Sequence, residues 1–533
     1  MPGLSYMNRA LQLIPKRAEK QQISELHETF VDSGIADILD TIDHQVLYGR
    51  RGTGKTHALS YLSSEVTARG DLSLAIDLRT VGSAQGIIDP SSAEATERAA
   101  RLLIDLLGQF HDSLINAVIN DEDLLEDGEF VDKADKLLET ITTVRLIGEV
   151  ERTEESESKS TGKTTGTASI KLASAPSFSV GVNAEKALEG RGLQKETRKG
   201  SEKISLNFSD VARALRELGD TLATRRVWLL LDEWSSVPRD LQPYLAEFLN
   251  RCIFPVRKFT VKIAAIEQQS NFRIEIDGRF IGIELGADIG AHTNLDDFLV
   301  YEGNEEQSRF FFRELFSKHL NNLGEFSNSP ASLLDAQDLI RIGFTDTRAF
   351  DELVRAAEGV PRDALYIAAK AASRAGKEKI SVPLVREATL SWYHTDKTSP
   401  LESRPEVRRL LHWIIAKVIR DKKARAFLVN STDARDELLL ALFDARVLHI
   451  LRRGYSAQDL PGERFDVWGI DYGAYVDLVR TQSAPVGMLP FMDNDGRNVY
   501  VDVDVPFQDL RAIRRAILKL GEFYDQDSPT LFD

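Results

Sequence analysis

The sequence has very little of several features that define particular protein classes. It contains one cysteine, Cys252, among 533 residues, so no intramolecular disulfide can form and a cysteine-based metal site would need other ligands. No run approaches the roughly 18 consecutive apolar residues that span a bilayer, and the N-terminus leads into charged residues instead of the apolar core of a signal peptide. These absences favour a reducing compartment, and we expect a cytoplasmic protein with no membrane partner.

An excess of positive charge is also missing. Lysine and arginine number 67 against 83 aspartates and glutamates, a net charge of −16, so the whole chain is not a polycation that coats nucleic acid. A local basic patch is still compatible with this balance. With 42% hydrophobic and 28% charged residues, 34 glycines and 17 prolines, the composition is that of a globular protein. At roughly 150 residues per domain, we expect about three or four domains.

The first motif with chemical meaning is a glycine-rich loop. Gly49–Thr56 reads GRRGTGKT and fits G-x-x-x-x-G-K-[ST] in full, between a predicted strand at Asp43–Tyr48 and a helical pattern at Lys55–Leu62. In such a loop the backbone amides and the helix N-terminus hold a phosphate, the lysine reaches the β- and γ-oxygens, and the threonine hydroxyl can ligate magnesium. The predicted phosphate-binding residues are Gly49, Arg50, Arg51, Gly52, Thr53, Gly54, Lys55 and Thr56.

Strand and helix patterns alternate around this loop. Leu72–Leu78 indicates a strand, Ala93–Ile119 an amphipathic helix, and Arg226–Leu231, the most apolar short run, a central parallel strand. Phe259–Ile266 indicates a further strand after a helix at Gln242–Cys252. This alternation predicts an α/β fold with a parallel sheet.

Polar residues follow two of these strands. Asp232 and Glu233 come directly after an apolar strand, and the carboxyl ends of parallel strands face the ligand crevice. With a phosphate loop nearby, we expect Asp232 to hold magnesium and Glu233, on the other side of the strand end, to activate the attacking water. After the next strand, Gln268 is our first candidate and Asn271 our second for contacting the γ-phosphate or that water, although polar residues also fill ordinary loops.

An arginine stands at the junction of two later helical patterns. Gly359 is expected to end the first helix and Pro361 to occupy the first turn of the second. Arg362 then lies at a helix N-terminus, where the helix dipole does not favour a cation, so we expect an anion such as a γ-phosphate nearby. The alternative is a solvated arginine.

The composition changes abruptly between Glu149 and Ser205 to serine, threonine, glycine, glutamate and lysine. This segment predicts a flexible insertion, and the alternative is a hairpin of Ala168–Leu172 and Phe178–Val182 that orders on a partner. The insertion contains a second G-K-T at Gly162–Thr164. Because Glu157 stands where the first glycine belongs and no strand precedes it, we do not interpret it as a phosphate loop.

Taken in order, these motifs resemble those of AAA+ ATPases of the initiator-like clade, which is related to origin-recognition and Cdc-type loaders. The resemblance rests on Gly49–Thr56 as Walker A, Leu229–Glu233 as Walker B, the sensor-1 position near Gln268, and Gly359–Arg362 as sensor 2. It implies that ATP binds with Mg²⁺. By this resemblance the catalytic residues are Glu233, Gln268 and Arg362, and the metal-holding residues are Thr56 and Asp232.

The resemblance also implies an order of domains. We expect an N-terminal helical segment at 1–42, a P-loop AAA+ core with a parallel sheet at 43–322, a helical lid at 323–398, a winged-helix domain at 402–490 and an extension at 491–533. The last lid helix is expected at Lys379–Ala388. In the winged helix, the predicted helices and strands are Glu406–Val418, Asp433–Ala445, Ala445–Leu451 and Glu463–Ile470.

Two features depart from the family pattern. The arginine finger that a neighbouring subunit offers has no clear motif, and Arg251, Arg273 and Arg279 are all eligible. The expected reading helix of the winged domain, Ser431–Leu438, is acidic, which opposes insertion into a phosphate-lined groove. Basic residues cluster elsewhere, and the late aromatics are better explained by packing than by base stacking. These basic runs are Arg420–Arg425 and Arg452–Arg453, and the aromatics are Trp468, Tyr472 and Tyr475.

The sequence therefore predicts an ATP-binding and ATP-hydrolysing AAA+ switch. We expect it to couple its nucleotide state to assembly, as a homo- or hetero-oligomer, with a protein partner that carries an effector activity. A bacterial antiviral defence or regulatory system is the favoured setting because the acidic balance suits protein partners. The alternative is an initiator- or loader-type ATPase that binds DNA through its winged helix.

Overall fold

The computed structural model describes residues 4–82, 95–121, 124, 126, 128–142, 144–146, 168–170, 206–290, 293–296, 305–323, 336–420, 424, 426–456, 462–480 and 516–525. Most of the predicted insertion at 149–205, most of the predicted extension at 491–533 and most of the basic run at 420–425 lie outside the described residues.

The described helices are numbered in chain order. They are α1 Leu4–Leu13, α2 Ile23–Thr29, α3 Ala36–Leu39, α4 Lys55–Ala68, α5 Ala95–Ile119, α6 Gly128–Thr142, α7 Phe208–Thr221, α8 Gln242–Phe248, α9 Glu305–Asn322, α10 Ala336–Gly343, α11 Thr347–Ala357, α12 Pro361–Ala375, α13 Val382–Trp392, α14 Pro405–Trp413, α15 Glu437–Asp444, α16 Tyr472–Arg480 and α17 Leu520–Asp525.

The described strands are numbered in the same way. They are β1 Gln45–Tyr48, β2 Leu72–Asp77, β3 Val144–Leu146, β4 Ala168–Ile170, β5 Val227–Asp232, β6 Phe259–Ala265, β7 Arg273–Ile276, β8 Arg279–Gly282, β9 Thr293–Asn294, β10 Ala426–Asn430, β11 Leu448–Tyr455, β12 Phe465–Ile470 and β13 Ile517–Leu518.

A five-stranded parallel sheet forms the first half of the chain. Its strand order is β2, β5, β6, β1, β9, and every neighbouring pair is parallel. The inner strands β5 and β6 are buried on both faces, which is why β5 is continuously apolar from Val227 to Leu231. β6 is apolar except for buried Thr260 and Lys262. The predicted α/β fold with a parallel sheet is therefore confirmed, with the Val227–Asp232 run as an inner strand.

The two faces of the sheet bury different sets of side chains. Leu229 and Leu231 of β5 join one core with helices α5 to α8, whereas Trp228 and Leu230 pack with α4 on the other face. Within the described residues, α5 is the one helix long and apolar enough to cross a membrane by length and composition. Its apolar side packs in this core against β2 and α6, which accounts for its composition.

One edge of the sheet gathers the predicted motifs. β1 ends at Tyr48 and the chain then passes through the glycine-rich loop into α4, while β5 ends at Asp232. Only β6 separates β1 from β5. Because parallel strands end at the same edge, the phosphate loop and Asp232 meet there.

A helical layer, α9 to α13 together with α1, forms a second core. α11 ends at Ala357, Glu358 takes a left-handed conformation at the C-cap, and Gly359 follows with φ 74° before α12 begins at Pro361. This junction is the one that the sequence predicts. The last lid helix, expected at Lys379–Ala388, is α13, which continues into a π-helical turn at Tyr393–Thr398.

The residues from 405 onward form what we call the C-terminal unit, described at 405–420, 424, 426–456, 462–480 and 516–525. Its four-stranded sheet has the order β11, β12, β10, β13, and β11 and β12 form the antiparallel pair that the sequence predicts. β10 was not predicted. The expected helix Asp433–Ala445 is shorter, because the side chain of Asp436 caps α15 by accepting the N–H groups of Leu438 and Leu439.

This cap changes one sequence interpretation. The acidic stretch Ser431–Leu438 is not a reading helix but a 3₁₀ turn at Asp433–Arg435 followed by a cap, so that part of the winged-helix prediction is wrong. The packing prediction for the late aromatics is confirmed, since Trp468, Tyr472 and Tyr475 are all buried. The two tyrosines lie on α16, which packs against the helical layer.

The insertion is described at one point only. β4 pairs antiparallel with β3, so Ala168–Ile170 does form a strand, but with Val144–Leu146 as its partner. The second predicted strand, Phe178–Val182, lies outside the described residues.

Candidate functional site

The glycine-rich loop has the backbone geometry of an anion site. Gly52 and Gly54 have φ values of 87° and 101°, in the left-handed region that glycine tolerates best, and Gly54 is the N-cap of α4. Lys55 is buried, and its Nζ donates to the main-chain oxygens of Gly49 at 2.8 Å and Arg50 at 3.0 Å. Burial lowers the pKa of Lys55, and the carboxylates of Glu233 and Asp232 oppose that effect.

The second half of the site comes from the end of β5. Thr56 Oγ1 donates to Asp232 Oδ2 at 2.6 Å, and the main-chain N–H of Glu233 donates to Asp232 Oδ1 at 2.8 Å. Burial raises the pKa of Asp232, although both of these hydrogen bonds favour its ionised form. The Thr56 hydroxyl and the Asp232 carboxylate are therefore in direct contact, and this contact joins the phosphate loop to the end of β5.

This pair fits a magnesium ion. Hydroxyl and carboxylate oxygens are hard ligands, and magnesium commonly takes only one or two protein ligands and completes its shell with water and phosphate. Within the described residues, no group of three or more histidine, cysteine, aspartate or glutamate side chains forms a metal site by itself. An ion held by Thr56 and Asp232 together with a phosphate is consistent with both observations.

Glu233 leaves the strand in an unusual backbone conformation. Its φ is 57° and its ψ 40°, a left-handed geometry that costs energy for a residue other than glycine and that is enriched at functional sites. The following Trp234 is fully buried and fixes the turn. The Glu233 side chain lines the same cleft as Lys55 and Thr56.

Arg362 approaches the loop from the helical layer. Its main-chain N–H donates to the oxygen of Gly52 at 3.3 Å, and a Cβ added at Gly52 would lie 2.7 Å from Arg362 Nε. None of the ion pairs in the described parts of the chain involves Arg362. Burial lowers the pKa of Arg362, and the charge of Arg446 adds to this effect. The structure thus places Arg362 against the phosphate loop. An anion bound there would offset the repulsion between the charges of Arg362 and Arg446.

Lys55, Thr56, Glu233 and Arg362 line a cleft of about 600 Å³, a volume in the range of small-molecule sites. Asp232 is not in this lining and joins the site through its hydrogen bond to Thr56. Its walls come from the N-terminal segment 15–21, the phosphate loop, α12 and the end of α15. The cationic side chains that line it are Lys16, Arg17, Arg51, Lys55, Arg79, Arg362, Arg404 and Arg446. The acidic ones are Glu19, Glu233, Asp396 and Asp444. The excess of cations suits a polyanionic ligand.

One side of the cleft is apolar and aromatic. The rings of Tyr366 and Trp392 stack with centroids 4.3 Å apart and an interplanar angle of 14°. Leu315 and His319 line the same cleft, and burial lowers the pKa of His319 to about 3, so its imidazole is neutral at physiological pH. A flat, uncharged base has a suitable surface on this side of the cleft.

Several predicted residues do not line the cleft. Gly49, Arg50 and Thr53 are buried behind it. Gln268 lies in the 3₁₀ turn after β6, and the main-chain N–H of Asn271 donates to Gln242 Oε1 at 2.6 Å. Neither side chain is among the described residues that form the cleft wall. The roles of Gln268 and Asn271 therefore stay predictions.

The three candidate arginine fingers share one surface away from the cleft. Arg251 donates to Glu247, whose other carboxylate oxygen accepts the N–H of Gly282 in β8 at 2.7 Å. The guanidinium of Arg273 in β7 stacks on the Phe280 ring at 3.9 Å, and Arg279 begins β8. The β7–β8 hairpin carries Arg273 and Arg279, and the π-helical turn Leu249–Ile253 after α8 carries Arg251. The action of these arginines on another subunit stays a prediction.

Residues 13–82 match the ORC-CDC6-like family model. This segment of the chain is similar to that family. It contains the Walker A loop and also the N-terminal wall of the cleft at 15–21, which sequence reasoning missed. The resemblance predicted from the motifs is confirmed over this segment.

Solved ORC-CDC6-like and related structures are similar to the chain only at a distance. Cdc6p from Pyrobaculum aerophilum is 12% identical, with 89% of this chain and 97% of that chain covered and a TM-score of 0.31. Aeropyrum pernix Orc1 in complex with DNA is 12% identical, with 89% and 96% covered and a TM-score of 0.30. The Thermotoga maritima RuvB Holliday junction branch migration motor is 11% identical, with 90% and 99% covered and a TM-score of 0.31. These values are too low to assign an activity. A comparison with curated proteins finds no match.

Proposed function

We propose that the chain is an ATP-binding and ATP-hydrolysing AAA+ switch that couples its nucleotide state to assembly with a protein partner. One observation carries the proposal: Lys55, Thr56, Glu233 and Arg362 line one cationic cleft, Asp232 is bonded to Thr56, and these residues come from three separate stretches of sequence. A phosphate loop alone would serve many ligands. A carboxylate pair beside it and an arginine from a helical layer suit a nucleoside triphosphate.

In the proposed mechanism the loop exchanges hydrogen bonds. Lys55 releases the main-chain oxygens of Gly49 and Arg50 and donates to the β- and γ-phosphate oxygens. Thr56 and Asp232 hold Mg²⁺, which when bound neutralises charge that develops between the β- and γ-phosphates. Glu233 accepts the proton of the water whose oxygen attacks the γ-phosphorus, while the bond to the bridging oxygen breaks. Arg362 contacts the γ-phosphate from the helical layer.

The same proposal includes the predicted domains. The described C-terminal unit contains a helix, a strand, a second helix and an antiparallel strand pair in that order, which supports a winged-helix domain at 402–490. The helical layer supports a lid at 323–398, with α9, which precedes that boundary, packed in the same core.

We place the switch in a bacterial defence or regulatory system in the cytoplasm. The net charge of −16 favours protein partners over nucleic acid. No motif for a nuclease or protease is found in the sequence, so a partner would carry the effector activity, within a homo- or hetero-oligomer.

Nucleotide binding is tested with Lys55→Ala and Glu233→Gln. We expect Lys55→Ala to abolish binding of a fluorescent ATP analogue, because the buried cation and its phosphate contacts are lost. We expect Glu233→Gln to bind ATP without hydrolysing it. Lys136→Ala, at an exposed lysine paired with Glu217, is the matched control and should behave like wild type. Equal ATP affinity in wild type and Lys55→Ala would overturn the proposal. Assembly is read from the size of the chain with and without a slowly hydrolysed ATP analogue.

A second candidate function is supported by one surface. The β11–β12 pair exposes Arg452, Arg453 and Arg464, a small basic patch of the kind that contacts a DNA backbone. A DNA-associated loader would bind duplex DNA with an affinity that falls steeply as salt rises. Substituting the three arginines by glutamine should reduce that salt dependence. DNA binding that is absent at low salt would exclude this second candidate.

A further inference from the structure

A side chain of the phosphate loop is buried between three parts of the molecule. Arg50 is 2% exposed, and each of its three guanidinium nitrogens donates a hydrogen bond to a residue outside the cleft lining. Nε donates to Asp296 Oδ1 at 2.9 Å, Nη2 donates to the main-chain oxygen of Glu358 at 2.7 Å, and Nη1 donates to Nδ1 of His449. Arg50 therefore links the loop to the sheet, to the helical layer and to the C-terminal unit.

The contact with His449 fixes the state of its imidazole. A guanidinium can only donate, so Nδ1 of His449 must be the acceptor and the ring proton must lie on Nε2. Nε2 is 3.2 Å from Asp471 Oδ2, which accepts a hydrogen bond from the Nε2–H group. Burial and the charge of Arg50 lower the pKa of His449 to about 4. His449 is thus a neutral bridge from the cation of the loop to a carboxylate of the C-terminal unit.

Beyond Asp471, the chain of contacts returns to the cleft. Lys397 lies 2.5 Å from Asp471 and 3.1 Å from Asp363, and both Lys397 and Asp363 are fully buried. Burial alone would lower the pKa of Lys397, but the two carboxylates raise it above its ordinary value. The other oxygen of Asp363 pairs with Arg446, which also pairs with Asp396. We call Arg50, His449, Asp471, Lys397, Asp363 and Arg446 the docking network.

Both ends of the docking network touch the candidate site. At one end, the main-chain oxygen of Arg50 accepts from Lys55 Nζ, the group expected to bind phosphate. At the other end, Asp363 is adjacent to Arg362, and Arg446 lines the cleft with the last turn of α15. A ligand that attracts Lys55 and Arg362 therefore acts on the residues next to Arg50 and Asp363, at the two ends of the docking network.

Buried ionic contacts of this kind require their partners. Removing one member leaves an uncompensated charge in the interior, whereas an exposed pair contributes little. The C-terminal unit can thus dock closely only in the position where His449 meets Arg50 and Arg446 meets Asp363. In that position the C-terminal unit forms one wall of the cleft.

We propose that Arg50 is a positioning residue that docks the C-terminal unit onto the phosphate loop through His449, so that docking and nucleotide binding favour each other. The inference rests on the proposed function, because the nucleotide is the ligand whose affinity is expected to depend on docking. Linkage makes the effect reciprocal: if the nucleotide favours docking by a given factor, docking raises the affinity for the nucleotide by the same factor.

The test measures docking and affinity in the full-length chain. Spin labels are placed on Ala68→Cys and Arg435→Cys, both exposed, in a Cys252→Ser background. The distance between them is measured with and without a slowly hydrolysed ATP analogue, and the Kd of that analogue is measured in parallel. The variants are His449→Phe, which keeps a ring but removes the acceptor, and His449→Asn, which restores an acceptor near the position of Nδ1.

The matched control is Arg453→Ala. Arg453 also joins the C-terminal unit to the sheet, through Glu267 at 2.7 Å, but this pair is exposed and outside the docking network. We expect His449→Phe to broaden the distance distribution and to raise the Kd by about tenfold, within the usual range of coupling between sites. The nucleotide should narrow the distribution again. His449→Asn and Arg453→Ala should both resemble wild type.

Other results overturn the inference. A His449→Phe chain with wild-type distances and Kd would show that the contact positions nothing, and a raised Kd with an unchanged distance would show that it does not act through docking. If His449→Phe fails to fold, the same measurement is made with Arg50→Gln, which changes the other partner of the Arg50–His449 contact. A wild-type chain that binds no nucleotide refutes the proposed function, while its nucleotide-free distances still test docking by Arg50.

Discussion

Thr56 and Asp232, which are 176 positions apart in the sequence, share a 2.6 Å hydrogen bond at the edge of the parallel sheet. The contact brings the start of α4 to the end of β5 and leaves one hydroxyl and one carboxylate facing the same small volume. This is the part of the site on which metal dependence should rest.

Asp232→Asn should remove the magnesium dependence of nucleotide binding. The amide keeps the shape of the side chain but lacks the negative charge that attracts a divalent cation. We expect the ratio of Kd values without and with Mg²⁺, measured by calorimetry, to fall to near 1 and hydrolysis to stop. Asp121→Asn, at a carboxylate paired with Arg225 outside the cleft, is the control and should keep the wild-type ratio. A metal-dependent Kd in Asp232→Asn would refute the assignment.

Gly52→Ala should disturb the contact between the phosphate loop and Arg362. The new Cβ would meet Arg362 Nε at 2.7 Å and Arg362 Cβ at 2.9 Å, and φ at this position is 87°. Gly70→Ala is a matched control, with φ 85° and no heavy atom within 4 Å of the added Cβ. Both variants should lose about 1 to 2 kcal/mol of unfolding free energy from the left-handed backbone.

Only Gly52→Ala should also lose nucleotide affinity, because only there does the added atom displace an arginine of the site. Denaturant unfolding measures the loss of unfolding free energy that both variants share. Titration with a fluorescent ATP analogue measures the loss of affinity expected for Gly52→Ala alone. If both variants bind equally well, Arg362 does not need its position against Gly52.

Acid should weaken docking of the C-terminal unit. In the docked structure, burial and the charge of Arg50 lower the pKa of His449 from its ordinary value of 6.5 to about 4. Because the docked state binds the proton less well, its stability is fully present above pH 6.5 and is lost as the pH falls towards 4. The charged groups that face His449 are Arg50, Asp471 and Lys397, and protonation would add a third cation to this set.

The distribution of distances between the two spin labels should therefore broaden as the pH is lowered from 6.5 to 4. Buried His319 also has a lowered pKa, so global stability alone cannot assign the effect. His449→Asn has no ring to titrate, and comparison with it isolates the contribution of His449. Identical pH profiles for wild type and His449→Asn would contradict the prediction.

A separate contact holds α16 to the helical layer. Tyr472 Oη donates to buried Glu352 Oε1 at 2.5 Å, and the same oxygen accepts from Arg386 Nε at 2.5 Å. Tyr472→Phe removes one donor from a buried carboxylate and should cost about 2 kcal/mol of unfolding free energy. Tyr524→Phe, at a 43% exposed tyrosine bonded to Asp436, should cost less than about 0.5 kcal/mol. Thermal unfolding of the two variants measures the difference.

The sequence predicted the sheet because its signals are local. The apolar run of β5 and the glycine loop before α4 each follow from a few adjacent residues, and the junction at Gly359 and Pro361 follows from known helix-end preferences. The placement of Arg362 required one more step, the expectation of a nearby anion. The contact of Arg362 with Gly52 places this arginine at the phosphate loop, and the anion stays a prediction.

The rest of the site depends on contacts between distant residues. Arg50 carries the signature of a phosphate-loop residue, but its side chain meets His449, which is 399 positions away. Arg446 and Arg404 enter the cleft from the C-terminal unit and the connection before it, and no local pattern marks them. For Gln268 the strand was predicted correctly, yet the turn after β6 does not bring its side chain to the cleft wall. Asp436 shortened a predicted helix because it serves as a cap.

The four-sided construction of the cleft has a practical consequence for anyone dividing the chain. A shortened protein that stops after the helical layer would lack the wall formed by Ala441, Asp444, Ala445 and Arg446, and His449 would no longer cover Arg50. One that starts at β1 would lack the wall formed by 15–21. Affinity measured on either piece would describe an incomplete cleft, so a fragment suited to measuring nucleotide binding must contain both residues 15–21 and the C-terminal unit.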